Sequence, residues 1–171
     1  MSFRAGTSVR TDEDPALAAR KLDWIREAGL HLMGHATYQE MAGFWPASDG
    51  EYAKPMNDIP KVVFSKTLTR AVWPQSTIAT GDLADEISAL KREPGKDMIA
   101  WEVRPSPSRS AGSAWWTNTG SCYSQCRWGD GLPLFAGLTA PFMLNLINAR
   151  AYADGAVRHV YRPGEQNVTS G

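Results

Sequence analysis

The feature of this chain that most constrains its fold is a regular alternation of short apolar runs and amphipathic stretches over residues 15–101. Short runs rich in β-branched, aromatic and other apolar residues are typical of strands, whereas apolar residues three and four positions apart are typical of helices. The predicted strands are Leu30–Gly34, Lys61–Ser65, Thr77–Thr80 and Asp97–Trp101. Strands that alternate with helices predict an α/β fold with a mostly parallel sheet and helices on both faces.

Proline, glycine and capping residues set the helix boundaries. Asp14 before Pro15 indicates a helix start, and Gly29 indicates the end of that helix. After Asp82, apolar residues again share one helical face, and Pro94 and Gly95 end the pattern. The predicted helices are Pro15–Ala28, Ala36–Phe44, Glu51–Asn57 with an interruption at Pro55, and a fourth that opens at Gly81 and Asp82.

The end of the chain changes to an antiparallel pattern. Two apolar runs, about Phe142–Ala149 and Ala156–Tyr161, are joined across Asp154 and Gly155, a dipeptide suited to positive φ. The sequence therefore predicts an antiparallel C-terminal hairpin at the edge of the parallel sheet.

Length and composition limit the classes of protein. The chain has 171 residues, of which 43% are hydrophobic and 21% charged, which fits one domain over residues 1–171. Eighteen basic residues balance eighteen acidic ones, and no basic cluster indicates a nucleic-acid partner. No apolar run is long enough for a membrane span and the N-terminus lacks the apolar core of a signal peptide, so we expect no membrane partner and a cytoplasmic location.

Metal binding is poorly supported. Cys122 and Cys126 lack the spacing of a zinc site, and incidental thiols are the better interpretation. His31 and His35 have the spacing of a zincin helix, but the glutamate that would act as base is absent. We therefore expect no metal.

The segment from Trp101 to Trp128 differs from the rest of the chain. It holds four of the seven tryptophans and both cysteines, and is otherwise rich in Ser, Pro, Arg and Gly without helical or strand periodicity. We therefore expect an irregular surface segment over residues 102–128. Its position after a strand is where α/β proteins place a ligand-binding turn.

Several motifs resemble one family when they are taken in order. They are Leu32–Tyr38, Phe44–Pro46, Ile59–Leu68 and Gly131–Phe135. This order and spacing resemble the dihydrofolate reductase-like proteins related to the reductase domain of riboflavin biosynthesis enzymes. The resemblance implies an αβα sandwich that binds NADPH and transfers hydride to a pterin-like or pyrimidine-like small molecule.

The resemblance also implies site residues. Its pyrophosphate-binding helix start corresponds to Gly34, His35, Thr37 and Tyr38, and its adenosine-binding loop corresponds to Ser65, Lys66 and Thr67. His35 replaces an arginine of the family pattern, which exchanges a permanent cation for a mostly neutral group. Trp101 completes the cofactor candidates and Trp45 is the substrate candidate, while no catalytic residue is identified. The simpler interpretation makes Gly34 a turn glycine, Thr37 a helix cap, and Ser65 and Thr67 solvated turn residues. It also places Phe44 and Trp45 in the core.

Two parts of the family pattern are missing. The first strand of the family has no counterpart before residue 12, and Glu102-Val103 stands where the family has Gly-Gly. A compensated pair of frameshifts over about residues 102–128 would explain the second loss. Trp115-Trp116-Thr117 allows only the codons TGG TGG ACN, and reading these two bases later gives the Val-Asp of the family.

Two functions follow from these observations. One is an NAD(P)H-dependent reductase, and the other is a non-catalytic remnant, a binding or structural module of the same fold with a broken cofactor site. The loss of a strand would expose apolar edges, which predicts aggregation or a homodimer that covers them.

Overall fold

The computed structural model describes residues 14–101, 119–123 and 143–164, and its strands form two sheets. The helices are α1 (Pro15–Glu27), α2 (His35–Phe44), α3 (Ala53–Asp58) and α4 (Leu83–Arg92), with a 3-10 turn over Trp45–Ala47. The strands are β1 (Leu30–Gly34), β2 (Lys61–Phe64), β3 (Ser76–Ala79), β4 (Met98–Trp101), β5 (Thr119–Tyr123), β6 (Leu144–Ala151) and β7 (Val157–Pro163). The mixed α/β class predicted from the alternating pattern is confirmed.

The larger sheet is parallel and has the order β3-β2-β1-β4. Side chains alternate between the two faces of a strand, so Met33 of β1, Val63 of β2 and Ile99 of β4 share one face. These three side chains are buried. They form one cluster with Ile25, Ala28, Tyr38, Met56 and Trp73.

The smaller sheet is antiparallel and has the order β5-β7-β6. The hairpin turn contains Gly155 at φ 80°, as the Asp-Gly dipeptide predicted. Asp14 caps α1 through Ala16 N at 2.7 Å and also accepts a hydrogen bond from Ala153 N at 2.7 Å. The start of α1 is therefore bound to the turn of the hairpin, and Leu17 packs there with Tyr152 and Ala156.

Three expectations need correction. Phe44 is 53% exposed at the end of α2, where its ring forms a T-shaped pair with Trp45, so its assignment to the core is wrong. Pro55 does not interrupt α3, since it lies in the first turn, where no N–H is needed. The segment expected to be irregular contains β5 at Thr119–Tyr123, because the backbone of β7 pairs with it; its other residues, 102–118 and 124–128, lie outside the described ranges.

Candidate functional site

The carboxyl ends of three parallel strands meet at one edge of the larger sheet. In register, Gly34 of β1 lies beside Phe64 of β2, and Met33 of β1 lies beside Trp101 of β4. The chain runs from β1 outward through β2 to β3 and then returns to the other side of β1 as β4. Ligands of open parallel sheets bind beyond the carboxyl ends of the strands at such a reversal. We call this region the carboxyl edge and take it as the candidate site.

The start of α2 lies at the carboxyl edge. Gly34 is both the last residue of β1 and the N-cap of α2, at φ −76° and ψ 165°. No side chain in the described part of the chain caps this helix, and its first turn contains no acidic residue. The first N–H groups and the positive end of the helix dipole are therefore suited to an anion. Thr37, half-buried in the first turn, adds a hydroxyl group.

His35 joins this helix start to the loop after β2. Its Nδ1 lies 3.1 Å from Ser65 Oγ and 3.0 Å from Thr67 Oγ1. Ser65 is buried, whereas Lys66 and Thr67 are exposed. The structure thus brings together the two groups of residues that the resemblance assigned to a cofactor, and the exposed Lys66 lies between Ser65 and Thr67 in the sequence.

Trp101 reaches back from the end of β4 to His31 on β1. Its Nε1 donates to His31 Nδ1 at 2.6 Å, and the two rings stack with centroids 5.7 Å apart. Because an indole N–H only donates, His31 Nδ1 must accept and its proton resides on Nε2, for which no partner exists among the described residues. Burial, followed by the charge of Lys61, lowers the pKa of His31 to about 4. A neutral His31 therefore holds the Trp101 side chain in place.

Sequence reasoning missed this role of His31. The spacing of His31 and His35 indicated only a possible metal site on a helix. In the structure β1 ends and α2 begins between the two residues, so they do not share a helix face. The available signal was that β1 is a short apolar run typical of a strand buried on both faces, as the burial of His31, Leu32 and Met33 shows, so a histidine within it needs a buried partner.

Tyr38 lies in the core instead of facing the carboxyl edge. Its side chain is 1% exposed, and its hydroxyl oxygen accepts hydrogen bonds from Val72 N and Trp73 N, both at 2.9 Å. Its ring packs against Trp73 with centroids 6.2 Å apart. The hydroxyl group thus fixes the loop before β3.

Trp45 lies at the opposite end of the sheet. It follows the last residue of α2, about 15 Å along the helix axis from His35 at 1.5 Å per residue. Its carbonyl accepts from Asn57 Nδ2 at 2.9 Å, beside the start of β2, and its side chain packs against the core cluster, as the core interpretation predicted. The structure does not bring Trp45 together with the cofactor candidates.

A buried lysine occupies that same end of the sheet. Lys61 is 1% exposed, and its Nζ donates to Ile59 O at 2.7 Å, Asn57 O at 2.9 Å and Pro74 O at 3.4 Å. The ammonium group also lies 4.4 Å from the centroid of the Trp73 ring. Desolvation lowers the pKa of Lys61 to about 8. These contacts satisfy carbonyls at the end of α3 and in the loop before β3, which is a structural role.

The groups at the carboxyl edge fit an anionic dinucleotide. They comprise the uncapped N–H groups of α2, the hydroxyl groups of Thr37 and Thr67, and the ammonium group of Lys66, whereas the buried Ser65 hydroxyl bonds within the protein. None of the candidate residues is acidic. Within the ranges 14–101, 119–123 and 143–164, no cluster of histidine, cysteine or carboxylate side chains could hold a metal, and no helix is long and apolar enough to cross a membrane.

Solved structures with a similar fold include three bacterial proteins. A protein described as a riboflavin biosynthesis protein from Shewanella sp. PV-4 has a TM-score of 0.64 and 19% identity, covering 90% of this chain and 82% of its own. A pyrimidine reductase-like protein from Corynebacterium diphtheriae has a TM-score of 0.60 and 13% identity, covering 90% and 83%. A diaminohydroxyphosphoribosylaminopyrimidine deaminase/5-amino-6-(5-phosphoribosylamino)uracil reductase from Thermotoga maritima has a TM-score of 0.57 and 15% identity, covering 87% of this chain and 49% of its own.

These similarities confirm the predicted resemblance at the level of fold. The chain shares the fold of these proteins, with the dihydrofolate reductase-like architecture that the resemblance implied, a parallel four-stranded sheet and an antiparallel hairpin. No family model matches the sequence, and no curated protein matches it.

Proposed function

We propose that this protein is a reductase that uses NADPH to reduce a pyrimidine-like or pterin-like ring of a small molecule. The observation that carries the proposal is the convergence of the uncapped start of α2 with His35, Ser65 and Thr67 at the carboxyl edge. The fold supports it, since similar structures include a pyrimidine reductase-like protein and a uracil reductase. A cytoplasmic location is part of the same proposal.

Each group has a role in binding. The N–H groups of α2 and the hydroxyl group of Thr37 would bind the pyrophosphate of the cofactor, because both donate toward the anion. Lys66 and Thr67 would hold the adenosine ribose and its phosphate, with Lys66 supplying the charge. Ser65 would hold this loop in place through its hydrogen bonds from Thr67 N and Leu68 N. Trp101 would border the site from β4. The cofactor supplies the hydride when bound, and the protein orients it.

Titration with NADPH tests the proposal. Energy transfer from tryptophan to reduced nicotinamide reports binding, and loss of nicotinamide absorbance with a pyrimidine substrate reports turnover. We expect saturable binding in the micromolar range.

Lys66→Gln should weaken binding about tenfold, because one charged hydrogen bond to phosphate is lost. Lys54→Gln is the matched control, since Lys54 is an exposed lysine on α3 whose partner is Asp58. Absence of saturation at millimolar NADPH would contradict the proposal and favour a non-catalytic module.

We also propose that two copies of the chain pair through the exposed strand β6. Leu146 is 54% exposed and Ile147 is 51% exposed, and both lie on this edge strand of the antiparallel sheet. Apolar edge strands favour pairing with another chain. Sedimentation of the wild type should show a dimer, and Ile147→Lys should give a monomer; a monomeric wild type would contradict this part of the proposal.

A further inference from the structure

The hydroxyl group of Ser65 is fully committed to hydrogen bonds. Its oxygen accepts from Leu68 N at 2.9 Å and from Thr67 N at 3.2 Å. A serine hydroxyl has two lone pairs and one proton, so these two N–H groups use both lone pairs. The third close contact of Ser65 Oγ is His35 Nδ1 at 3.1 Å. Only the hydroxyl proton remains for this contact, and Ser65 must therefore donate to His35.

This fixes the position of the proton on His35. A nitrogen that accepts a hydrogen bond carries no proton, so the neutral ring has its proton on Nε2. Thr67 Oγ1 lies at nearly the same distance from Nδ1, 3.0 Å, but no other described contact forces its hydroxyl to donate.

We propose that Ser65 is a positioning residue that holds His35 as the neutral Nε2–H tautomer, so that His35 presents a neutral donor to a phosphate oxygen of the dinucleotide. The second half of this statement rests on the proposed function. His35 Nε2 is shielded from solvent and has no hydrogen-bond partner among the described residues, so a phosphate oxygen would supply the missing acceptor. The groups that shield Nε2 would have to move aside when the cofactor binds.

The tautomer is measurable in the free protein. The full chain labelled with 15N-histidine is studied by long-range 15N–1H NMR at mildly alkaline pH, where imidazole is neutral. Loss of one signal in His35→Gln assigns His35. We expect the Nε2–H pattern in the wild type and in Ser65→Thr, and a mixture of both tautomers in Ser65→Ala. Thr67→Val is the matched control and should keep the wild-type pattern.

Several results would overturn the inference. An Nδ1–H pattern in the wild type would do so directly. A wild-type pattern in Ser65→Ala, or a change in Thr67→Val as large as that in Ser65→Ala, would show that Ser65 does not select the tautomer. If Ser65→Ala does not fold, the wild-type and Thr67→Val spectra still decide the question.

Binding of NADPH tests the donor role separately. His35→Gln keeps a neutral N–H donor and should bind NADPH within about threefold of the wild type, whereas His35→Ala should bind about tenfold more weakly. Equal affinity of all three proteins would overturn the donor role. If no NADPH binds while the tautomer pattern is as expected, the proposed function fails and the role of Ser65 stands.

Discussion

Acid should destabilise this protein through His31, and His31→Gln should remove that effect. His31 is fully buried and accepts a hydrogen bond from Trp101 Nε1 at 2.6 Å. Burial and the neighbouring charge of Lys61 lower its pKa from 6.5 to about 4. The unfolded chain therefore binds a proton at a higher pH than the folded chain does. The contribution of neutral His31 to the free energy of unfolding is therefore fully present above pH 6.5. It is lost as the pH falls toward 4.

The size of the effect follows from the difference in pKa. Between 6.5 and about 4 the shift is about 2.5 units. At about 1.4 kcal/mol per unit, protonation removes about 3 kcal/mol from the free energy of unfolding. Small domains have only about 5–15 kcal/mol in total, so the loss is easily measured.

Urea unfolding between neutral pH and pH 4 measures this loss. Glutamine at position 31 keeps an acceptor oxygen for the Trp101 indole but does not titrate. Over this range the wild type should lose about 3 kcal/mol more than His31→Gln. His159→Gln is the control, because it removes a half-exposed histidine on β7, and it should follow the wild type. Parallel stability curves for the wild type and His31→Gln would refute the reasoning.

The remaining predictions concern buried hydrogen bonds and the coding DNA. Lys61→Met leaves three carbonyls without their donor and should cost about 3 kcal/mol in urea unfolding, whereas Lys54→Met removes an exposed lysine and should cost less than about 1 kcal/mol. Equal costs would contradict the role of Lys61. Tyr38→Phe leaves two N–H groups without an acceptor and should lower the free energy of unfolding by about 1–3 kcal/mol without changing NADPH affinity. If frameshifts produced residues 102–128, the coding DNA should carry the family's Gly-Gly in the shifted frame; codons that do not permit it would reject that proposal.

The elements of the parallel sheet were predictable because their residues carry strong local signals. β1 matches its predicted bounds, Leu30–Gly34, and α1 ends one residue before its predicted end at Ala28. The pairing of β5 with β7 was not predictable, because it depends on a backbone partner distant in sequence, and Thr119–Tyr123 lacks strand periodicity. The separation of the antiparallel strands into their own sheet was missed for the same reason.

The candidate site was predicted only in part. The resemblance indicated Gly34, His35, Ser65 and Thr67, and the parallel strands bring them together. The core position of the Tyr38 side chain was not predicted, because its hydroxyl group accepts hydrogen bonds from backbone N–H groups 34 and 35 residues further along the chain. Local patterns carry no information about such distant partners.

The most direct test of the central claim is to map NADPH binding along the backbone. Amide NMR spectra of the 15N-labelled protein are recorded with increasing NADPH. We expect saturable shifts at the start of α2 around His35, in the loop from Ser65 to Thr67, and at the Trp101 indole, with β6 unaffected by the addition of cofactor. No saturable shift, or shifts confined to Lys61 and the opposite end of the sheet, would contradict the assignment of a dinucleotide site to the carboxyl edge.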